Sequence, residues 1–251
     1  MQKTLISIIG STGIGKTKLA IEMAKHFSTE IISCDSRQFF KEMKIGTATP
    51  TDEELAQAKH HFIGHLSVQD YYSIGQYEED ALEKIEEIFE ENDFAVLVGG
   101  SMMYEKAVVE GLNDLPEANA ENQEKLQKIL DEEGLEKLQE ILKNLDEEYY
   151  NVVHKENPRR LLRAIDVIWQ TGRKYSEIIA EPKHKRDFKV IRIGITAPRE
   201  IMYERINLRV DKMLENGLID EVKSLTEYQK LVPLQTVGYT EIFKYLEGTW
   251  D

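Results

Sequence analysis

Apolar and polar positions alternate in two rhythms along this chain. Leu5-Ile6-Ser7-Ile8-Ile9 is a short, nearly continuous apolar run rich in β-branched residues that stops at Gly10, the pattern of a buried parallel strand. Over 16–26 the apolar positions move to Leu19, Ala20 and Met23, with Phe27 next, which is helical spacing. Glu30-Ile31-Ile32-Ser33-Cys34-Asp35 reads as a second strand that finishes on a carboxylate. Helical spacing returns over 77–91, with Ala81, Leu82, Ile85, Ile88 and Phe89 on one face. Phe94-Ala95-Val96-Leu97-Val98-Gly99-Gly100 is a third strand ending in a glycine pair, and 189–195 is a fourth. Strands alternating with helices predict an α/β fold, a parallel sheet covered by helices on both faces.

Between the third and fourth strands the rhythm changes. Residues 112–186 carry almost no strand signal and read as several helices, acidic over 117–148 and rich in Lys and Arg from 154 to 192. The expected organisation is a core of 1–111 and 187–251 interrupted by a helical insertion, 112–186, with one basic face. A solvated charge run is the usual explanation of such a stretch, so it supports binding only weakly. No repeat, low-complexity tract or flexible linker interrupts the pattern.

Composition narrows the classes. The 251 residues are 41% hydrophobic and 31% charged, an ordinary globular balance. No apolar stretch reaches the roughly 18 residues of a membrane span, and the N-terminal run is too short for a signal-peptide core, so a cytoplasmic protein without a membrane partner is expected. The single cysteine, Cys34, excludes an internal disulfide and a Cys-based zinc site, and it reads as a small apolar residue near a strand end rather than a thiol nucleophile. A net charge of −14 argues against coating nucleic acid by charge alone but leaves room for a local basic surface.

The strongest chemical signal is Gly10-Ser11-Thr12-Gly13-Ile14-Gly15-Lys16-Thr17, a Gly-x-x-x-x-Gly-Lys-Thr P-loop placed directly after a strand and opening a helix. Its glycines let successive N–H groups turn toward phosphate oxygens, and the helix N-terminus adds the positive end of its dipole. Lys16 brings a mobile charge to the terminal phosphates, and the Thr17 hydroxyl is placed to ligate Mg²⁺. The site is expected to bind a di- or triphosphate. A P-loop kinase or ATPase carries a Walker-B carboxylate after a later strand, but here the third strand ends in Gly99-Gly100-Ser101. The strand-end carboxylate is Asp35, which reads equally as a group beside the phosphates or as a helix cap or turn residue. His60, His61 and His65 lack the further ligands of a metal site.

These residues resemble the family of bacterial tRNA dimethylallyltransferases, also called tRNA isopentenyltransferases. The P-loop has the family's form through Thr12. Asp35-Ser36-Arg37-Gln38 followed by Lys44-Ile45-Gly46-Thr47-Ala48 is similar to its Asp-Ser-x-Gln and Ile-Gly-Thr-Ala blocks, and Val98-Gly99-Gly100-Ser101 with Tyr104 to its Val-Gly-Gly-Thr-x-x-Tyr block. Asn157-Pro158-Arg159-Arg160-Leu161-Leu162-Arg163-Ala164 looks like the helix that contacts tRNA, and Arg205-Ile206 with Arg209, Met213-Leu214, Gly217-Leu218 and Thr236-Val237-Gly238-Tyr239 continue the order. The match spans nearly the whole chain. Ser11 and Ser101 depart from the family's usual proline and threonine but keep the backbone or hydroxyl that each role needs. The sequence ends at Gly248-Thr249-Trp250-Asp251 where the family continues into a basic C-terminal helix, so a shortened chain with weakened tRNA affinity is expected.

The resemblance implies transfer of the dimethylallyl group of dimethylallyl diphosphate to the exocyclic amine of the adenine 3′ to the anticodon. It implies Asp35 as general base, Ser101 beside the same centre, and Arg209 on the diphosphate with the P-loop and Mg²⁺. It places tRNA contacts, on the anticodon stem-loop, at Asp35, Ser36, Arg37, Gln38, Gln123, Arg159, Arg160, Leu161, Leu162 and Arg163, and at Gln235, Thr236, Val237, Gly238, Tyr239 and Thr240. A monomer is expected. Without the resemblance the arginines of 159–163 would be assigned to a solvated face. The rival readings are a P-loop small-molecule kinase, a nucleotide-binding module without catalysis, and an adenylate isopentenyltransferase of the cytokinin type; the basic helix favours tRNA over the last.

Overall fold

The computed structural model describes residues 2–250. The chain divides into two compact units, one running to Glu110 and resuming at Lys185, the other Gly111–His184.

In the first unit the four apolar runs form the parallel strands β1 (Thr4–Gly10), β2 (Ile31–Ser33), β4 (Phe94–Val98) and β5 (Lys189–Ile195), joined by a fifth, β3 (His60–His61), in the spatial order β3-β2-β4-β1-β5. Register sets the site. Ile8 pairs with Val98 and Val98 with Ser33, so the P-loop, the Asp35 turn and Gly99-Gly100-Ser101 all leave the sheet at the same edge. The two-residue strand β3 carries no apolar alternation, which is why the sequence pattern does not predict it; it is a short, polar edge of the kind that blunts unwanted pairing.

Strand alternation divides the core between two faces. Ile6, Ile8, Ile31, Val96 and Val98 pack with Ala20, Ile21 and Ala24 of α1 (Lys16–Phe27). After the single turn α2 (Asp52–Leu55) come α3 (Ile74–Glu91) and α4 (Met102–Glu110), which cover the opposite face formed by Leu5, Ile32, Ala95 and Leu97. Each end of these helices has a local cause. Gly15, at φ 103°, opens α1 and Ser28, at φ 52°, closes it, while the Ser73 hydroxyl accepts the Gln76 N–H at the start of α3.

The second unit is helical: α5 (Ala120–Glu133), α6 (Leu135–Leu145), α7 (Glu147–Val152), α8 (Pro158–Thr171) and α9 (Tyr175–Ile179). Leu126, Leu138, Leu142, Leu161, Ala164 and Ile165 form its core, all fully buried. Asn157 caps α8 through the Arg160 N–H with Pro158 in the first turn, and Gly172 ends it in the left-handed region at φ 68°. Lys185 and Arg186, expected in the insertion, belong to the sheet unit. Arg186 donates to the Ala107 and Val108 carbonyls at the end of α4 and pairs with Glu78, which fastens it there.

Beyond β5 the sheet unit continues as α10 (Arg199–Glu215), α11 (Leu218–Ser224) and α12 (Tyr239–Leu246); Leu218, Val222, Tyr239 and Phe243 of the last two join the Leu5 face. Among the described residues no helix is long and apolar enough to cross a membrane.

Candidate functional site

The P-loop wraps around a buried Ile14, with Gly13 and Gly15 at φ 75° and 103°, backbone conformations that side chains with a Cβ rarely adopt. The Lys16 ammonium folds back and donates to the Gly10 and Ser11 carbonyls at 2.9 Å each. Burial holds its pKa below the ordinary lysine value, with the Arg209 charge acting the same way and Asp35 opposing. Thr17, half-buried in the first turn of α1, lines the same cleft.

Beside the P-loop, the glycine pair after β4 makes room for Asp35. A Cβ on residue 99 would lie 2.5 Å from the Cys34 carbonyl carbon, and one on residue 100 would lie 3.0 Å from Asp35 Oδ2. A side chain at 99 is excluded by contact and one at 100 would crowd Asp35, the carboxylate at the neighbouring strand end. Asp35 Oδ1 accepts the Arg37 N–H at 3.1 Å, so one oxygen serves the turn while Oδ2 faces Gly100. Asp35 therefore carries a turn bond and at the same time borders the cleft. The Ser101 hydroxyl accepts the Ser36 N–H at 3.0 Å and lies 2.9 Å from the Ser36 hydroxyl, which ties the start of α4 to the Asp35 turn.

The third side of the cleft comes from α10. Arg209, half-buried, donates to the Thr47 carbonyl at 3.3 Å. Burial lowers its pKa, and the nearby Asp35 charge works against that shift. Gln38 donates from Nε2 to the Thr47 and Ala48 carbonyls at 3.2 and 3.1 Å. Thr12, Lys16, Thr17, Asp35, Gln38 and Arg209 thus border one cleft of about 260 Å³, next to a larger, open one of about 840 Å³ that shares Arg209 and Gly13 with it. Lys18 and Glu54 line the cleft as well, so it presents cations from the P-loop helix and from α10 together with carboxylates, groups suited to holding a diphosphate while accepting a proton beside it.

Among the described residues no three His, Cys, Asp or Glu gather to hold a metal ion. The Thr17 hydroxyl fits the way Mg²⁺ is bound with phosphates, through one or two protein oxygens and water rather than a protein cage.

The remaining predicted residues divide by exposure. Gln123, Arg159 and Arg160 are exposed on the helical unit, and Leu162 is half-buried. Leu161 lies fully inside that unit's core and offers no surface for tRNA. Arg163 turns inward, donating to the Pro116 carbonyl at 2.5 Å and to the buried Asp166 carboxylate at 3.2 Å. Gln235 and Val237 are exposed, Val237 at 85%, and Thr236, Gly238 and Thr240 are intermediate. Tyr239 is fully buried with its hydroxyl on Glu221, so its side chain is structural where a tRNA contact was expected. Sequence reasoning missed the Thr47 and Ala48 carbonyls, because main-chain acceptors leave no compositional trace. It also missed His60 as part of the cleft wall, where its Nδ1 lies 2.8 Å from the Ala58 carbonyl.

A model of the IPP transferase family matches residues 38–251. The chain is 50% identical over 251 residues to the tRNA dimethylallyltransferase of Christiangramia forsetii, covering 100% of this chain and 83% of that protein. It is 46% identical over 248 residues to tRNA dimethylallyltransferase 1 of Bacteroides thetaiotaomicron, covering 99% and 80%. The full-length tRNA isopentenylpyrophosphate transferase of Bacillus halodurans is similar in structure, with a TM-score of 0.67 at 33% identity over 99% of this chain and 78% of that one. A eukaryotic dimethylallyltransferase acting on tRNA is similar with a TM-score of 0.83 at 27% identity, over 98% of this chain and 64% of that one.

Proposed function

This chain belongs to the IPP transferase family, and on that premise we propose that it transfers the dimethylallyl group of dimethylallyl diphosphate to the exocyclic amine of the adenine 3′ to the anticodon in tRNA. The reading rests on one observation above the others: the phosphate loop and the Asp35 carboxylate open into the same cleft. A bond forms between the adenine nitrogen and the first carbon of the dimethylallyl group as the bond from that carbon to the diphosphate oxygen breaks. The electron pair leaves with the diphosphate, and the amine's proton passes to Asp35.

Each group has work that its position supports. The P-loop amides and Lys16 face the charge that develops on the leaving diphosphate, and Arg209 closes on it from α10. An adenine amine is a poor nucleophile, and proton removal by a positioned carboxylate contributes about 10²- to 10⁴-fold. Ser101 and Ser36 hold the turn that carries Asp35. Thr17 would hold Mg²⁺ beside the phosphates, and the ion would supply further neutralisation of the leaving group. Arg159 and Arg160 of the helical unit contact tRNA phosphates and set its register, in a cytoplasmic reaction.

Incubating the full chain with Mg²⁺, labelled dimethylallyl diphosphate and either unmodified tRNA or AMP tests the proposal. Label is expected in tRNA, and removing Mg²⁺ is expected to slow its appearance. Label in AMP alone, or transfer of phosphate from ATP to a small acceptor, overturns it.

A further inference from the structure

Residues 44–48 carry the carbonyls that hold Gln38 and Arg209, yet this loop belongs to no helix or strand. Ala48 sits in the left-handed region at φ 45°, a conformation a residue with a Cβ keeps only when its surroundings fix it. The Ala48 N–H on the Ile45 carbonyl at 2.9 Å and the Thr49 N–H on the Lys44 carbonyl at 3.0 Å close the loop locally, and a further hold comes from far along the chain. The Glu221 side chain on α11 accepts three consecutive main-chain N–H groups, Lys44 and Ile45 on Oε2 at 3.0 and 2.8 Å and Gly46 on Oε1 at 3.0 Å. Three amides converging on one carboxylate form a charge-assisted clamp. Oε1 also accepts the Tyr239 hydroxyl at 2.7 Å. A Cβ on residue 46 would lie 2.5 Å from the Tyr239 ring, so glycine there is what lets the amide row reach the carboxylate.

We propose that Glu221, backed by Tyr239, is a positioning residue of the reaction. It grips the loop one residue before Thr47, and the Thr47 carbonyl then sets the direction of the Arg209 guanidinium and, with Ala48, of the Gln38 amide. Arg209 meets the leaving diphosphate, so a carboxylate that touches no substrate governs how well the leaving group is held. This role rests on the proposed function and extends it to residues outside the cleft.

The test uses the full chain with E221Q, Y239F, R209K and the double variants of each of the first two with R209K. Two quantities are read: the single-turnover rate of dimethylallyl transfer to tRNA, and the affinity for magnesium pyrophosphate. Misaiming by a fraction of an ångström should cost E221Q roughly 10- to 100-fold in rate. Pyrophosphate should bind about 10-fold more weakly, by the weakening of one charge-assisted hydrogen bond. Y239F keeps the ring against Gly46 and should lose about threefold in each. In the R209K background both penalties should shrink, because the effect passes through the arginine. A carboxylate that only supports the fold would give the same penalty whether arginine or lysine occupies position 209. That result, or wild-type rate and pyrophosphate affinity in E221Q, overturns the proposal. Should E221Q fail to fold, the Y239F cycle decides by the same criterion. A wild-type chain that transfers nothing to tRNA faults the proposed function, and the pyrophosphate arm still judges the clamp.

Discussion

In the helical unit the buried carboxylates are surrounded. Asp166 accepts from the Asn119 N–H, the Asn122 and Gln170 amides and the Arg163 guanidinium, and Asp146 from the Tyr149 and Ser176 N–H groups and the Ser176 hydroxyl. In the sheet unit Lys16, Asp35 and Arg209 share a cleft, but each is bonded to main chain: Lys16 to Gly10 and Ser11, Asp35 to Arg37, Arg209 to Thr47. None of those bonds joins one charged group to another. A saturated carboxylate has little capacity left for a ligand and contributes to stability, whereas charges held apart by backbone keep their capacity for a substrate. The same contrast separates the arginines of α8. Arg163 is committed to Asp166, while Arg159 and Arg160 are exposed.

Removing a saturated carboxylate should produce the largest stability loss. Asp146→Ala leaves a buried N–H of Ser176 unpaired and should cost about 1–3 kcal/mol, read by calorimetry at neutral pH, with transfer chemistry per folded molecule unchanged. Burial alone would raise the Asp146 pKa, but the bonds from Ser176 and Tyr149 outweigh it and hold the carboxyl below the ordinary range. A depressed carboxyl stabilises the fold above its unfolded pKa, about 3.9, and that contribution is lost as pH falls further. The gap between wild type and Asp146→Ala should therefore narrow below about pH 4. A gap that persists there would remove the ionised carboxylate from the account.

Gly99→Ala should come next, because it brings a Cβ against the Cys34 backbone. Overpacking of this kind costs about 1–3 kcal/mol, and the displaced Asp35 turn should also slow transfer in the fraction that stays folded. Stability lost without any change in rate would mean that the glycine pair serves packing alone. The smallest effect belongs to the exposed arginines. Arg159→Ala with Arg160→Ala should weaken tRNA binding and reduce the salt slope by about one for each phosphate left unneutralised, with thermal stability unchanged. An unaltered slope would return them to a solvated helix face.

The apolar runs made β1, β2, β4 and the helical insertion legible, because burial on two sheet faces and on helix stripes imposes periods of their own; β5, read as the fourth strand, is an edge strand with no buried residue. The P-loop was legible because phosphate binding demands glycines at fixed spacing. Leu161 shows where a resemblance overrode periodicity: with Ala164, Ile165 and Ile168 it falls on one helical stripe, which marks it as core. The inward turn of Arg163 depends on Pro116, 47 residues earlier, and no local pattern carries that. The Glu221 clamp joins residues 175 to 177 positions apart through main-chain donors, which every sequence possesses and none advertises.

The central claim is that Asp35 serves the chemistry in addition to its turn bond to Arg37, and Asp35→Asn tests it most directly. Asparagine keeps the size and can still accept the Arg37 N–H, but it does not take up a proton at neutral pH. Single-turnover transfer should slow by roughly 10²-fold or more, while the melting temperature and the affinities for tRNA and dimethylallyl diphosphate stay near wild type. A variant that unfolds more easily by about 0.5–2 kcal/mol yet transfers at the wild-type rate would contradict the claim and make Asp35 a turn residue.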